Sequence, residues 1–327
     1  MKTDPETGVL SPFKFDQIEM EVPELKKFNF NLNTITFNPP IDSSNVTPDL
    51  WKQIAHVIHE NYDAYDGFVV LHGTDTMSYT ASALSFMTQN LTKPIIFTGS
   101  QIPIGVIRTD GKENLITAIE IAAAKENGRA VVPEVCVYFQ DKLFRANRTR
   151  KHNAEQFNAF TSENYPPLAE VGINIQYNNA YIKQMDSFSP PFSIATELDT
   201  RVSVIRIFPG MDRELFRAML SVPGLRAVVL ETYGSGNAPT ADWFIETLEE
   251  AIKRDLVILN VSQCPAGMVE MERYETGVKL QKIGVVSGKD ITTEAALAKL
   301  MYLLGQNLAP GRLADQLKYP IRGEITL

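Results

Sequence analysis

Phe68-Val69-Val70-Leu71-His72-Gly73-Thr74-Asp75-Thr76-Met77 decides how this chain is read. Four apolar residues run into a glycine turn, then into hydroxyl, carboxylate and hydroxyl side chains, then into a helix. The helix follows from Met77, Ala81, Leu84, Met87 and Leu91, which recur at helical spacing. A buried strand ending beside a helix start is the edge where open α/β sheets hold ligands. The first-turn N–H groups of such a helix lack intrahelical partners and favour a carboxylate or a developing oxyanion. Thr and Asp are also ordinary helix caps, so the unit alone leaves capping and chemistry both open.

A second unit lies just downstream. Lys93-Pro94-Ile95-Ile96-Phe97-Thr98-Gly99-Ser100-Gln101-Ile102-Pro103 again reads as a buried strand ending in Gly and a hydroxyl. The polar loop Arg108-Thr109-Asp110-Gly111 and an alanine-rich helix from about Asn114 to Lys125 follow. Working outward, Thr34–Phe37 reads as a strand, and Thr47-Pro48-Asp49 as a helix start with Leu50, Ile54, Val57 and Ile58 on one face. Val135–Phe139 reads as a strand. The alternation predicts a mostly parallel sheet covered by helices, an α/β architecture. Periodicity fails over 186–200, which is rich in Ser and Pro and reads as a linker. Beyond it, strands at Val202–Phe208, Ala227–Leu230 and Val257–Val261 alternate with helices around Trp243–Lys253 and Thr293–Asn307. Two domains are expected: a larger N-terminal one over 1–185 and a smaller C-terminal α/β one over 201–327.

Composition sets the outer limits. At 327 residues the chain can bury a large core, and 44% hydrophobic with 21% charged residues is globular composition. A net charge of −8 argues against a nucleic-acid surface and against attachment to anionic membranes. No apolar run reaches the length of a membrane span. Met1-Lys2-Thr3-Asp4-Pro5-Glu6 has no apolar signal-peptide core, so a cytoplasmic location is expected. Cys136 and Cys264 sit in apolar, strand-like surroundings and are expected as buried or half-buried thiols, with a disulfide left open. His56 and His59 form the one metal-like spacing, but no third ligand accompanies them, so neither metal nor cofactor is expected. His72 reads as a hydrogen-bonded core residue.

His72–Met77, Thr98–Pro103 and Arg108–Asn114 together resemble the bacterial-type L-asparaginase family, nearest its cytoplasmic type I branch. Asn147-Arg148-Thr149-Arg150-Lys151, Tyr233-Gly234-Ser235-Gly236-Asn237-Ala238-Pro239 and Gly323-Glu324-Ile325-Thr326 continue the resemblance in family order over nearly the whole chain. It implies the two-domain asparaginase fold and hydrolysis of L-asparagine to L-aspartate and ammonia. It implies Thr74 and Lys151 as the hydroxyl and amine of a Thr–Lys–Asp relay, with Asp75 sustaining it and holding the substrate's α-amino group. It assigns Asp42, Ser43 and Ser44 to the substrate loop. Asn237 would help complete a neighbouring subunit's site in a homodimer or homotetramer. Taken alone, Asp42-Ser43-Ser44 is a turn, and the basic run around Lys151 is a solvated loop. A lysine serves as base only where burial or neighbouring charge brings down its usual value near 10.4.

Three departures from the family stand out. Glu231 occupies a position where the branch often has an arginine near an effector site, while Cys264 matches that site. Thr7-Gly8-Val9-Leu10 lacks the tyrosine of the family's lid. The family opens with a strand and a Thr-bearing glycine turn that supplies the primary nucleophile, and Met1 aligns near the end of that motif; an upstream segment in the natural gene is the expectation. Two alternatives to an asparaginase remain open. One is the ammonia-producing subunit of a glutamyl-tRNA amidotransferase, disfavoured by charge. The other is a non-catalytic amino-acid-binding protein that keeps Thr74 and Asp75 as ligands.

Overall fold

A computed structural model describes residues 2–3, 10–11, 20–185 and 190–327. Met1, the lid stretch Thr7 to Val9 and the linker residues Asp186 to Ser189 lie outside the described residues. The chain divides into two compact units. Residues 1–84, 88–162 and 166–194 form the first, and 85–87, 163–165 and 195–327 form the second.

In the first unit, helix α1 (Pro48–Asn61) follows Thr47 in extended backbone, with Pro48 in its first turn and Asp49 beside its positive end. Leu50, Trp51, Ile54, Ala55 and Ile58 bury one face of it, while Val57 is half-buried. Strand β1 (Phe68–Leu71) leads to α2 (Met77–Met87), β2 (Ile95–Thr98), α3 (Gly111–Ala123) and β3 (Val135–Phe139). Strands β1, β2 and β3 pair in parallel, Phe68 opposite Ile95 and Ile95 opposite Val135. Every residue of β2 and β3 is buried, which is why both read as unbroken apolar runs.

Beyond β3 the sheet turns antiparallel. Strands β4 (Lys142–Arg145), β5 (Ala169–Val171) and β6 (Ile175–Tyr177) complete the order β6-β5-β4-β3-β2-β1. The sheet is therefore mixed, with a parallel half and an antiparallel half. Only Gln140 and Asp141 join β3 to β4, and a two-residue connection with Gln140 at φ 56° makes a hairpin, not a crossover. Thr34–Phe37 is a correction: it is exposed to half-buried and has no strand pairing among the described residues. Its composition suits a strand, but a strand exists only with a neighbour to bond. The stretch expected as a linker is partly structured too, since Ser193 and Ile194 pair with Gln89 and Thr88.

The second unit runs β7 (Val202–Arg206), α4 (Arg213–Leu220), β8 (Ala227–Thr232), α5 (Asp242–Lys253), β9 (Val257–Ser262), α6 (Glu275–Lys282), β10 (Val286–Ser287), α7 (Thr293–Gly305) and α8 (Pro310–Leu317). Its four strands pair all-parallel in the order β7-β8-β9-β10, which needs the long helical crossovers seen between them. Phe216 and Phe244 stack at 4.7 Å in a core with Val228, Leu230, Leu248 and Ile258. Away from that core, Lys299 and Glu324 form a fully buried ion pair at 2.7 Å. The Lys299 ammonium also donates to the carbonyls of Tyr319 (2.6 Å) and Leu317 (3.2 Å). The Glu324 carboxylate accepts from the N–H groups of Ile321 and Arg322. The motif read as Gly323-Glu324-Ile325-Thr326 thus ties down the end of the chain.

Both cysteines are free thiols. Cys136 is buried in β3, where burial pushes its thiol well up. Cys264 is exposed, a correction to its expected burial, because it follows the end of β9 instead of lying within it.

Candidate active site

The β1–α2 turn is built by close approach of three segments. A Cβ on Gly73 would lie 2.5 Å from the Ser43 hydroxyl oxygen, and one on Gly99 would lie 2.3 Å from the His72 carbonyl oxygen. Both glycines are required by contact, since no real Cβ tolerates such distances. His72 is locked by a chain of bonds. The Trp51 indole donates to the Thr80 hydroxyl at 3.0 Å, and an indole N–H can only donate. The Gly73 carbonyl can only accept, so His72 Nδ1–H donates to it at 2.6 Å, and Nε2 of the neutral ring accepts from the Thr80 hydroxyl at 3.0 Å. Burial lowers the His72 pKa, in keeping with a neutral ring that fixes the turn.

None of the three polar residues in the turn caps α2. Thr76 is the N-cap by position, but its side chain makes no cap bond; its hydroxyl donates to the Ser43 carbonyl at 2.6 Å. Thr74 donates to Gln101 Oε1 at 3.1 Å. Lys151 donates to Thr74 Oγ1 at 2.9 Å and to Asp75 Oδ1 at 2.6 Å. Each side chain reaches a different segment, so plain capping does not account for the turn.

Lys151 comes from a short strand, Arg150–Lys151, paired with Phe160–Thr161. Asn147, Arg148 and Thr149 before it are buried, so the basic run is not a solvated face. The Lys151 side chain is 20% exposed and that of Asp75 is 65% exposed, leaving Asp75 accessible to a ligand. Of the substrate-loop residues, Ser43 is buried and lies against Gly73. Asp42 and Ser44 bond each other: Asp42 Oδ1 accepts the Ser44 hydroxyl at 2.7 Å and its N–H at 2.8 Å. Those two bonds hold the Asp42 carboxyl below its usual range. Asn237 belongs to the second unit, in a tight turn bridged to Tyr233, and its Oδ1 accepts from the Thr276 hydroxyl at 2.9 Å. The Glu231 carboxylate, in the same unit, accepts from Thr293 at 2.6 Å and is 3.4 Å from Arg206.

Residues 1–183 match the family model of the asparaginase N-terminal domain, and residues 201–317 match that of the glutaminase/asparaginase C-terminal domain. The chain belongs to the asparaginase family. It is 42% identical to L-asparaginase 1 of Escherichia coli (strain K12), over 94% of this chain and 88% of that protein. It is 44% identical to the 60 kDa lysophospholipase of Mus musculus, over 88% of this chain but only 50% of that longer protein. The crystal structure of L-asparaginase I from Vibrio cholerae O1 biovar eltor superposes with a TM-score of 0.87 at 43% identity, covering 96% of this chain and 92% of that one.

Two residues that hold this junction together were not singled out by the sequence. Gln101 contacts Thr74 directly, and Asp110 holds Gln101 by accepting its backbone N–H with both carboxylate oxygens at 3.0 Å. Asp110 also accepts from Ile102 N–H and from Asn114 Nδ2, which closes the neck of the β2–α3 loop. The available signal was the repeated strand–Gly–hydroxyl pattern, which marked the second loop without singling out the amide. His56 and His59 are exposed, and no cluster of metal-binding side chains occurs among the described residues.

Proposed function

We propose that this chain is a cytoplasmic, homodimeric or homotetrameric amidohydrolase that converts L-asparagine and water to L-aspartate and ammonia. The observation that carries the reading is Lys151 Nζ within hydrogen-bond distance of both the Thr74 hydroxyl and the Asp75 carboxylate. Amide hydrolysis needs a group to take the proton of the attacking oxygen and return it to the leaving nitrogen. A neutral Lys151 takes that proton from or through the Thr74 hydroxyl, and the charged Lys151 returns it to the departing ammonia. Asp75, accessible and acidic, pairs with the substrate ammonium and stabilises the charged lysine. Ser43, at the same junction, serves the α-carboxylate with Asp42 and Ser44 shaping its turn. Asn237 contributes to a neighbouring copy's site. No step calls for a metal or cofactor.

The test is ammonia release from L-asparagine alongside calorimetry of asparagine binding. In a protein that includes the family's Thr-bearing glycine turn, Thr74→Val and Lys151→Met should each lower turnover about 10²–10⁴-fold while leaving the unfolding midpoint nearly unchanged. Near-normal turnover in both variants refutes the relay. Asparagine bound without ammonia release refutes hydrolysis and favours the non-catalytic binding reading. A monomer by light scattering that still saturates with asparagine removes Asn237 from the site.

A further inference from the structure

Gln101 has a fixed polarity. Its Nε2 donates to the carbonyls of Gln156 (3.1 Å) and Asn153 (3.4 Å), so Oε1 is the end that faces Thr74. A flipped amide would set Oε1 against two carbonyl oxygens. The backbone of Gln101 is held by Asp110, so the whole residue is fixed at both ends. An amide oxygen only accepts, and an ammonium only donates. The single Thr74 proton is therefore directed at Gln101, and a Thr74 lone pair receives Lys151. In this arrangement the Lys151 nitrogen acts towards Thr74 only as a donor. A neutral lysine can take the Thr74 proton only if Thr74 abandons Gln101.

We propose that Gln101 is a positioning residue of the relay: by holding the Thr74 proton it favours the charged form of Lys151 and sets the point at which the base becomes available. The inference rests on the relay assigned to Thr74 and Lys151 above. Asp75 is the carboxylate in contact with Lys151. Arg148, Arg150 and His152 flank Lys151 in the chain, and Glu155 lies on the loop that Gln101 grips. Arg108 and Asp110 share the Gln101 loop, and His72 precedes the Thr74 turn. The facing strand, Phe160–Thr161, carries no charge. All of these groups are retained when position 101 alone is changed, so differences among variants report on Gln101.

The experiment follows the Lys151 side chain by NMR across pH in the whole protein, its resonance assigned by loss in Lys151→Met. Gln101→Met keeps length but cannot accept, and Gln101→Glu accepts and adds a charge. The titration midpoint of Lys151 should rise in the order Met, Gln, Glu. Removing one competing neutral hydrogen bond lowers it by about half a pH unit. A carboxylate within about 6 Å of the amine, through Thr74, raises it by about 0.5–2 units between water-like and protein-like screening. In a Thr74→Val background the difference between Gln and Met should vanish, because the hydroxyl that transmits it is gone. The pH limb of asparagine turnover should move in the same order. Equal midpoints, a reversed order, or a Gln–Met difference that survives Thr74→Val overturns the proposal. A wild-type protein that releases no ammonia counts against the hydrolase reading, while the titration series still decides the role of Gln101.

Discussion

Replacing Lys299 by Met should strip the second unit of a large part of its stability, and the loss should depend on pH. The side chains of Lys299 and Glu324 are 1% and 0% exposed, and three acceptors use all three N–H groups of the ammonium. Burial pulls the Lys299 pKa down, and the Glu324 charge opposes that shift. Met fills a similar volume but leaves the buried carboxylate without its ion-pair partner, with only the Arg322 charge remaining near it. Breaking a buried pair in this way costs about 3–5 kcal/mol, against a total of about 5–15 kcal/mol for an ordinary domain. A buried carboxylate that has lost its partner favours the neutral form, because desolvation penalises the charge. A group whose folded pKa is raised contributes fully below its unfolded pKa and loses that contribution as pH rises. The deficit should thus be greatest near pH 7.5 and smaller at pH 5. Urea unfolding read through Trp243, in a Trp51→Phe background, isolates the second unit, because the chain has one tryptophan in each unit. Adding Glu324→Gln should recover more than half of the loss at pH 7.5. A single-variant loss below about 1 kcal/mol, or a deficit that grows on acidification, would refute the reasoning.

Gly99→Ala places a methyl 2.3 Å from the His72 carbonyl, which is backbone and cannot swing aside. It should cost about 1–3 kcal/mol and lower asparagine turnover more than Gly111→Ala, whose nearest contacts, at 3.0 and 3.1 Å, are side-chain atoms; equal effects would count against the close-approach argument. Because burial depresses the His72 pKa, folding should lose stability as pH falls below about 6.5, the unfolded value, towards the lower folded value. His72→Gln still offers Thr80 an acceptor but does not titrate, so its urea midpoint should fall less between pH 7 and pH 5; an unchanged slope would remove His72 as the source.

Much of the fold was legible because burial and periodicity coincide in it. Val135–Phe139 is buried on every side, so composition alone marks it. Lys142–Arg145, Ala169–Val171 and Ile175–Tyr177 went unread, being short, partly charged and defined by the strands they meet. Thr34–Phe37 shows the converse, a strand-like composition without a ladder. In the site, Thr74 and Asp75 were visible as polar residues at a strand–helix junction. Lys151 was not, by local reading, because a basic run looks solvated until Asn147–Thr149 are known to be buried. Gln101 leaves no local trace, since its importance lies in which end of an amide faces which carbonyl.

Thr76 gives its hydroxyl to Ser43, a residue thirty-three positions earlier in the chain, and not to the helix it begins. The first turn of α2 and the 42–45 turn are therefore linked in free energy, each holding the other in place. Such linkage is reciprocal. A ligand that grips the 42–45 turn should slow hydrogen exchange at the start of α2 without touching it. Loosening the start of α2 should, by the same amount, weaken that ligand's hold.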